Sequence, residues 1–146
     1  MAEDGGSGIE QLLDSLSLSK SFATREILVV DTAVEGYETL VEGVAENVEV
    51  VLISGGAGLE KVVSRLEGES DLAALHILSH GREGTLYLGD DVINSDTLSL
   101  YGDEFSEIGN HLAEDGEIIL YGCSVAQGSG KDFLEGVAEK SGADVA

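Results

Sequence analysis

The sequence has little positive charge, a single cysteine and no proline. Its 7 Lys and Arg residues stand against 29 Asp and Glu residues, which gives a formal net charge of −22. Such a surface repels phosphate backbones and anionic lipids, so we expect no nucleic acid partner and no attraction to anionic membranes. We interpret the acidity as a solubility feature, with a specific cationic partner as the alternative.

The lone cysteine, Cys123, excludes an internal disulfide and any metal site built from several cysteines. No apolar run approaches the roughly 18 residues of a membrane span, and no signal peptide opens the chain. We therefore expect no membrane insertion, no metal and no cofactor. Calcium stays open but unsupported, because the oxygen-rich stretch 89–96 lacks the ligand register of a calcium loop and favours a hairpin turn.

The length of 146 residues and the hydrophobic content of 42% fit one globular domain. Residues 1–24 are polar with only a short apolar rhythm, which predicts a flexible lead-in containing at most one helix. The pattern becomes regular immediately afterwards. We therefore predict an α/β domain over residues 25–146.

Short continuous apolar runs alternate with helical apolar spacing along this domain. The runs are typical of strands buried on both faces and cover 27–30, 48–53, 73–78, 117–121 and 143–146. The helical spacing covers 34–44, 59–66, 98–112 and 133–138. This alternation predicts a three-layer αβα sandwich around a mostly parallel sheet, with 2-1-3-4 as the common strand order. A small β-hairpin over 85–93 is predicted after the third strand.

Several polar residues are predicted to shape the ends of these elements. Asp96 is expected to cap the third helix, and Ser129 with Asp132 resembles a capping box for the last. Asp31 borders the sheet edge, where capping the following helix is the favoured role. The glycine-rich stretch 54–58 lacks the ending of a phosphate loop and predicts a tight turn.

His80 and Cys123 directly follow the third and fourth predicted strands. The crevice of an open parallel sheet lies outside the carboxyl ends of its strands, and neighbouring strands are about 4.8 Å apart. An imidazole near a thiol can stabilise the nucleophilic thiolate and then protonate a leaving amine. The N–H groups of Gly81 and Cys123 are predicted oxyanion donors. The alternative is a small buried cysteine and a loop histidine with a satisfied hydrogen bond.

The remaining candidates for this cleft share the same predicted edge: Asp31, Arg82, Tyr121 and Ser124. Arg25 and Arg82 are the cations expected near it. The preferred substrate side chain stays open, with a weak indication of a basic one from the acidic surface.

Two strand-end motifs, Ser79-His80-Gly81 and Tyr121-Gly122-Cys123, resemble the paired signature of caspase-like cysteine peptidases, a group with caspases, gingipains, legumains and clostripain. In that group a His-Gly and a Cys end adjacent strands. Together with Val30-Asp31, the motifs are more closely similar to an uncharacterised domain of long bacterial surface proteins. That domain lies near their amino end, ahead of cadherin-like or calcium-binding repeats. The resemblance covers about 26–146.

The resemblance implies a caspase-like fold with His80 as general base and acid, Cys123 as nucleophile, and Gly81 and Cys123 as oxyanion donors. It implies a cysteine endopeptidase whose substrate is a polypeptide, including its own parent chain, and a secreted or cell-surface location. It also implies that the domain continues past residue 146. A non-catalytic adhesin domain for export, anchoring or partner recognition is the rival interpretation. A flavodoxin-like binding module is the third.

Overall fold

The computed structural model describes residues 25–44, 48–121, 125, 128 and 130–146. The predicted lead-in over 1–24 and the predicted cap at Ser129 lie outside them. The elements in chain order are β1 (Glu26–Asp31), α1 (Tyr37–Glu42), β2 (Val48–Ile53), α2 (Gly58–Arg65), β3 (Leu72–Leu78), β4 (His80–Arg82), β5 (Thr85–Leu88), β6 (Asp91–Asn94), a 3₁₀ turn (Leu98–Tyr101), α3 (Gly102–Asn110), β7 (Leu112–Tyr121), α4 (Gly130–Ser141) and β8 (Asp144–Val145).

Five of the strands form one sheet in the order β2-β1-β3-β7-β8, and every pair in it is parallel. This confirms the predicted mostly parallel sheet and the 2-1-3-4 order, with β7 as its fourth strand along the chain. The register aligns Val30 with Leu78 and Leu78 with Tyr121. The carboxyl ends of the three central strands therefore finish level with one another.

The handedness of the connections assigns the helices to the two faces of the sheet. Crossovers between parallel strands are right-handed, so the single step from β1 outward to β2 places α1 alone on one face. The later steps run in the opposite direction and place α2, α3 and α4 together on the other face, where α3 packs against both α2 and α4. The predicted αβα sandwich is confirmed.

The main core lies between the sheet and the three helices. Strand residues such as Ile27 and Ile77 meet helix residues such as Leu59, Phe105 and Phe133, and all five are at most 1% exposed. Burying an apolar side chain of this size stabilises the fold by roughly 1.5–3 kcal/mol. The strands also carry apolar residues toward the opposite face, such as Leu28 and Leu78, which explains why they appear in the sequence as short apolar runs.

The opposite face of the sheet is covered less completely. No residue of α1 is buried, and its Leu40 is 52% exposed. Leu52 and Tyr121 on the same face are 48% and 45% exposed. An open groove of about 330 Å³ follows α1 and is lined by Glu26, Leu28, Leu40, Val44, Val48, His76, Leu78 and Tyr121.

A second, antiparallel sheet has the order β4-β5-β6. Strands β5 and β6 confirm the predicted hairpin, whereas no strand was predicted over β4. Three residues are too few for a recognisable side-chain alternation, and β4 is defined by its backbone pairing with β5. The hairpin turn uses Gly89 at φ +60°, where an added Cβ would lie 2.6 Å from the carbonyl oxygen of Gly56. Glycine is therefore required for this close approach.

Two details of the predicted third helix are wrong. Leu112 belongs to β7, where it pairs with Leu72. After that pair β7 bulges, and it regains its register with β3 at Glu117. Asp96 does not cap the helix: the side-chain oxygen of Asn94 instead accepts from the N–H groups of Asp96 and Thr97 at 2.9 and 3.0 Å. Asn94 thus makes the local turn that precedes the 3₁₀ segment.

The contact of α3 with the end of α4 requires a glycine. A Cβ at Gly109 would lie 1.8 Å from the carbonyl oxygen of Ser141, whereas one at Gly102 in the same helix would meet only the Lys140 side chain, at 3.6 Å or more. We expect Gly109→Ala to lower the free energy of unfolding by about 1–3 kcal/mol because of overpacking. Gly102→Ala is the matched control and should be neutral or slightly stabilising. Urea unfolding of both variants checks this, and equal midpoints would contradict it.

Candidate functional site

Two backbone hydrogen bonds join the segment that carries His80 to the segment that carries Cys123. Ser79 N donates to Tyr121 O at 3.1 Å, and Gly84 N donates to Val125 O at 3.0 Å. The first bond lies just before His80 in the chain and the second lies after it. Cys123 and Ser124 themselves lie outside the described residues, and the structure brings the nearby Tyr121 and Val125 to the histidine segment.

His80 is the first residue of β4, and its side chain is exposed. Its Nε2 lies 3.0 Å from Ala33 O, in the loop after β1. Because a carbonyl oxygen only accepts, Nε2 carries the proton in this bond. In the neutral ring the lone pair is then on Nδ1, and no described residue forms a hydrogen bond with that atom. The imidazole is held in an orientation that leaves one basic nitrogen available.

Asp31 ends β1 and is only 5% exposed. Its Oδ1 accepts from Ala33 N at 2.9 Å and its Oδ2 accepts from Gly89 N at 2.7 Å. The prediction that it caps the next helix is wrong, because α1 begins after Gly36 and has no side-chain cap. Asp31 instead connects the loop beside His80 with the turn of the hairpin.

The other described candidates lie around β4 and the end of β7. Gly81 pairs with Leu86, and Arg82 is exposed at the end of β4, two residues beyond His80. Tyr121 turns toward the α1 face, where its hydroxyl lies 3.0 Å from His76 Nδ1 and its ring stacks on that imidazole. Tyr121 is therefore part of the wall of the groove, at the strand end that leads to Cys123.

Arg25 does not belong to this edge. It precedes β1, at the amino end of the sheet, and its guanidinium binds the carboxylates of Glu69 and Glu49. The hydrogen bond and charge of Arg25 lower the pKa of Glu69, and the pKa of Arg25 is raised by the same partners. Counting Arg25 among the cleft cations was wrong, because strand direction places it at the opposite edge.

Lys61 is a cation at the carboxyl edge that the sequence did not single out. Its ammonium donates to Gly55 O at 2.8 Å and lies 3.3 Å from Ser54 O. These bonds use the turn that follows β2. The signal that could have found it is its position in the first turns of the helix after that strand.

The glycine-rich turn 54–58 is closed by carboxylates of the hairpin. Gly56 N donates to Asp90 Oδ2 at 3.0 Å, and Leu59 N at the start of α2 donates to Asp91 Oδ2 at 2.9 Å. The amides that would face a phosphate are thus used within the protein, in agreement with the predicted turn. Among the residues that the structure describes, no three acidic or histidine side chains converge as metal ligands.

The fold and this edge define a doubly wound α/β domain with its candidate site at the carboxyl ends of β3 and β7. That arrangement defines a scaffold, since such folds carry many activities. The chain belongs to the family described as Domain of unknown function (DUF4347), whose model matches residues 27–146. No curated protein matches the chain. Within the described ranges, no helix has the length and apolarity needed to cross a bilayer.

The hydrogen bonds of the three histidines predict different neutral tautomers. His80 and His76 donate from Nε2, to Ala33 O and to Glu26 Oε1, whereas His111 donates from Nδ1 to Glu69 O at 2.8 Å. Long-range ¹H–¹⁵N spectra at alkaline pH, where imidazoles are neutral, should show two Nε2–H rings and one Nδ1–H ring. The ring signals that disappear in His80→Gln are those of His80. An Nδ1–H form of His80 would contradict the geometry of the site.

Proposed function

We propose that this domain is a cysteine endopeptidase with Cys123 as nucleophile and His80 as general base and acid. The observation that carries the proposal is the pair of backbone bonds from the 79–84 segment to Tyr121 and Val125. In the sequence, Cys123 lies between these two anchors, two residues from each. A thiol and an imidazole at the ends of neighbouring strands suit acyl transfer.

The proposed chemistry uses the free nitrogen of His80. Nδ1 takes the proton of the Cys123 thiol, and the thiolate attacks the carbonyl carbon of a peptide bond. The N–H groups of Gly81 and Cys123 stabilise the oxyanion of the tetrahedral intermediate. Its collapse breaks the C–N bond while His80 returns the proton to the leaving amine. Water, deprotonated by His80, then hydrolyses the thioester to a carboxylic acid and the free thiol.

The bond from Nε2 to Ala33 O supports this role because it leaves the basic nitrogen free. A carbonyl acceptor also stabilises the imidazolium that forms during proton transfer, since both ring nitrogens are then donors. Arg82, two residues after His80 in the sequence, is exposed. The same proposal includes a relationship to caspase-like peptidases, action on the parent chain and a cell-surface location. The level carboxyl ends of β3 and β7 support the relationship to caspase-like peptidases.

A non-catalytic role in partner recognition is the second candidate, as an adhesin domain used in export or anchoring. The open groove beside α1 favours it, because exposed apolar side chains such as Leu40 and Tyr121 are typical of an interaction site. The two candidates differ in what they require of the thiol. Only the peptidase needs Cys123 to be more reactive than an ordinary cysteine.

The reactivity of Cys123 toward a peptide-based thiol probe at neutral pH tests the proposal. His80→Gln keeps an amide donor for Ala33 O but removes the base, so we expect the labelling rate constant to fall about 100-fold. Cys123→Ala is a complete blank because the chain has one cysteine. His111→Asn is the matched control: it keeps a donor for Glu69 O and should label like the wild type.

Cleavage of a peptide library by the wild type, absent in Cys123→Ala, would complete the support. A wild-type labelling rate equal to that of the urea-unfolded chain, with no change in His80→Gln, would eliminate the peptidase. In that case the partner-binding interpretation takes its place.

A further inference from the structure

We propose that Asp31 is a positioning residue, which fixes the imidazole of His80 without touching it. The part of the proposal that concerns geometry is limited to the orientation of the His80 imidazole. Its consequence for Cys123 rests on the proposed peptidase function.

The first support for the ring passes through Ala33. Asp31 Oδ1 accepts from Ala33 N at 2.9 Å, and Ala33 O accepts from His80 Nε2 at 3.0 Å. The loop is tied again by Val34 N, which donates to Asp31 O at 3.0 Å. The carbonyl that holds the imidazole is thus part of a turn organised around one aspartate, and losing the carboxylate frees that turn.

The second support passes through the hairpin. Asp31 Oδ2 accepts from Gly89 N at 2.7 Å, across 58 residues of chain. Gly89 directly follows β5, whose Tyr87 is the register partner of His80. The backbone of His80 is therefore placed by the same hairpin that Asp31 fixes in position. Its ring and its main chain depend on two oxygens of one side chain.

The environment of Asp31 suits a carboxylate with two acceptor oxygens. The residue is 5% exposed, and no described cation pairs with it. A buried carboxylate is retained only where hydrogen-bond donors compensate its desolvation, and backbone N–H groups at 2.9 and 2.7 Å supply them. A local turn needs only Oδ1. The bond of Oδ2 to a distant glycine shows that Asp31 does more than shape its own loop.

The test compares three variants by the tautomer of His80 and by the labelling rate of Cys123. Asp31→Ala removes both acceptors, so the Nε2–H form should give way to a mixture, and labelling should slow about tenfold or more. Asp31→Ser restores one acceptor for Ala33 N, since serine makes the same turn. It should therefore recover the Nε2–H form, while the Gly89 amide exchanges faster than in the wild type.

Asp90→Ala is the matched control. It also removes a carboxylate that holds the hairpin to a loop, but that carboxylate accepts from Gly56 N and not from Ala33 N. It should leave the His80 tautomer and the labelling rate unchanged. An unchanged tautomer in Asp31→Ala, an equal effect in Asp90→Ala, or no recovery in Asp31→Ser would each overturn the proposal.

If Asp31→Ala does not fold, Asp31→Ser is compared with the wild type directly. A wild-type tautomer with a fast-exchanging Gly89 amide supports the proposal, and a lost tautomer overturns it. The ring spectra need no catalytic activity. An inert Cys123 in the wild type would therefore reject the peptidase while the role of Asp31 is still decided by His80.

Discussion

The pairing of β3 with β7 is the constraint on which the candidate site depends. It aligns Leu78 with Tyr121 and extends past both strands through the bond of Ser79 N to Tyr121 O. Every other part of the site is attached to this pair: β4 continues β3, the hairpin continues β4, and Asp31 at the end of β1 holds the hairpin. If the hydrogen bonds between β3 and β7 were interrupted, the segment that carries His80 would separate from the segment that carries Cys123. Both strands would still keep their apolar side chains.

The parallel sheet could be predicted because its strands carry apolar residues on both faces and therefore appear as apolar runs bounded by polar residues. Helix α2 was predicted from its helical spacing, since Leu59 and Val62 recur on one buried stripe. Errors arose where backbone pairing decided the structure. Leu112 carries helical spacing but begins a bulged strand, and β4 has too few residues to show a pattern.

The positions of His80 and the end of β7 could be predicted from strand-end rules, whereas the supports of the imidazole could not. The acceptor of His80 Nε2 is a main-chain oxygen of Ala33, and any residue at that position offers the same oxygen. The bond from Asp31 to Gly89 spans two distant turns whose approach depends on the folded hairpin. Sequence patterns report on side chains, whereas this site is held largely by backbone groups.

The parallel ladder of β3 and β7 also has a kinetic consequence. The two strands are joined through the small sheet and α3, so their contacts are distant in sequence and close a long loop. Chain entropy opposes such closure, which makes topologies of high contact order slow to fold. The thiol and the imidazole therefore stay far apart in a nascent or unfolded chain, and any reactivity that depends on both is delayed until the domain is complete.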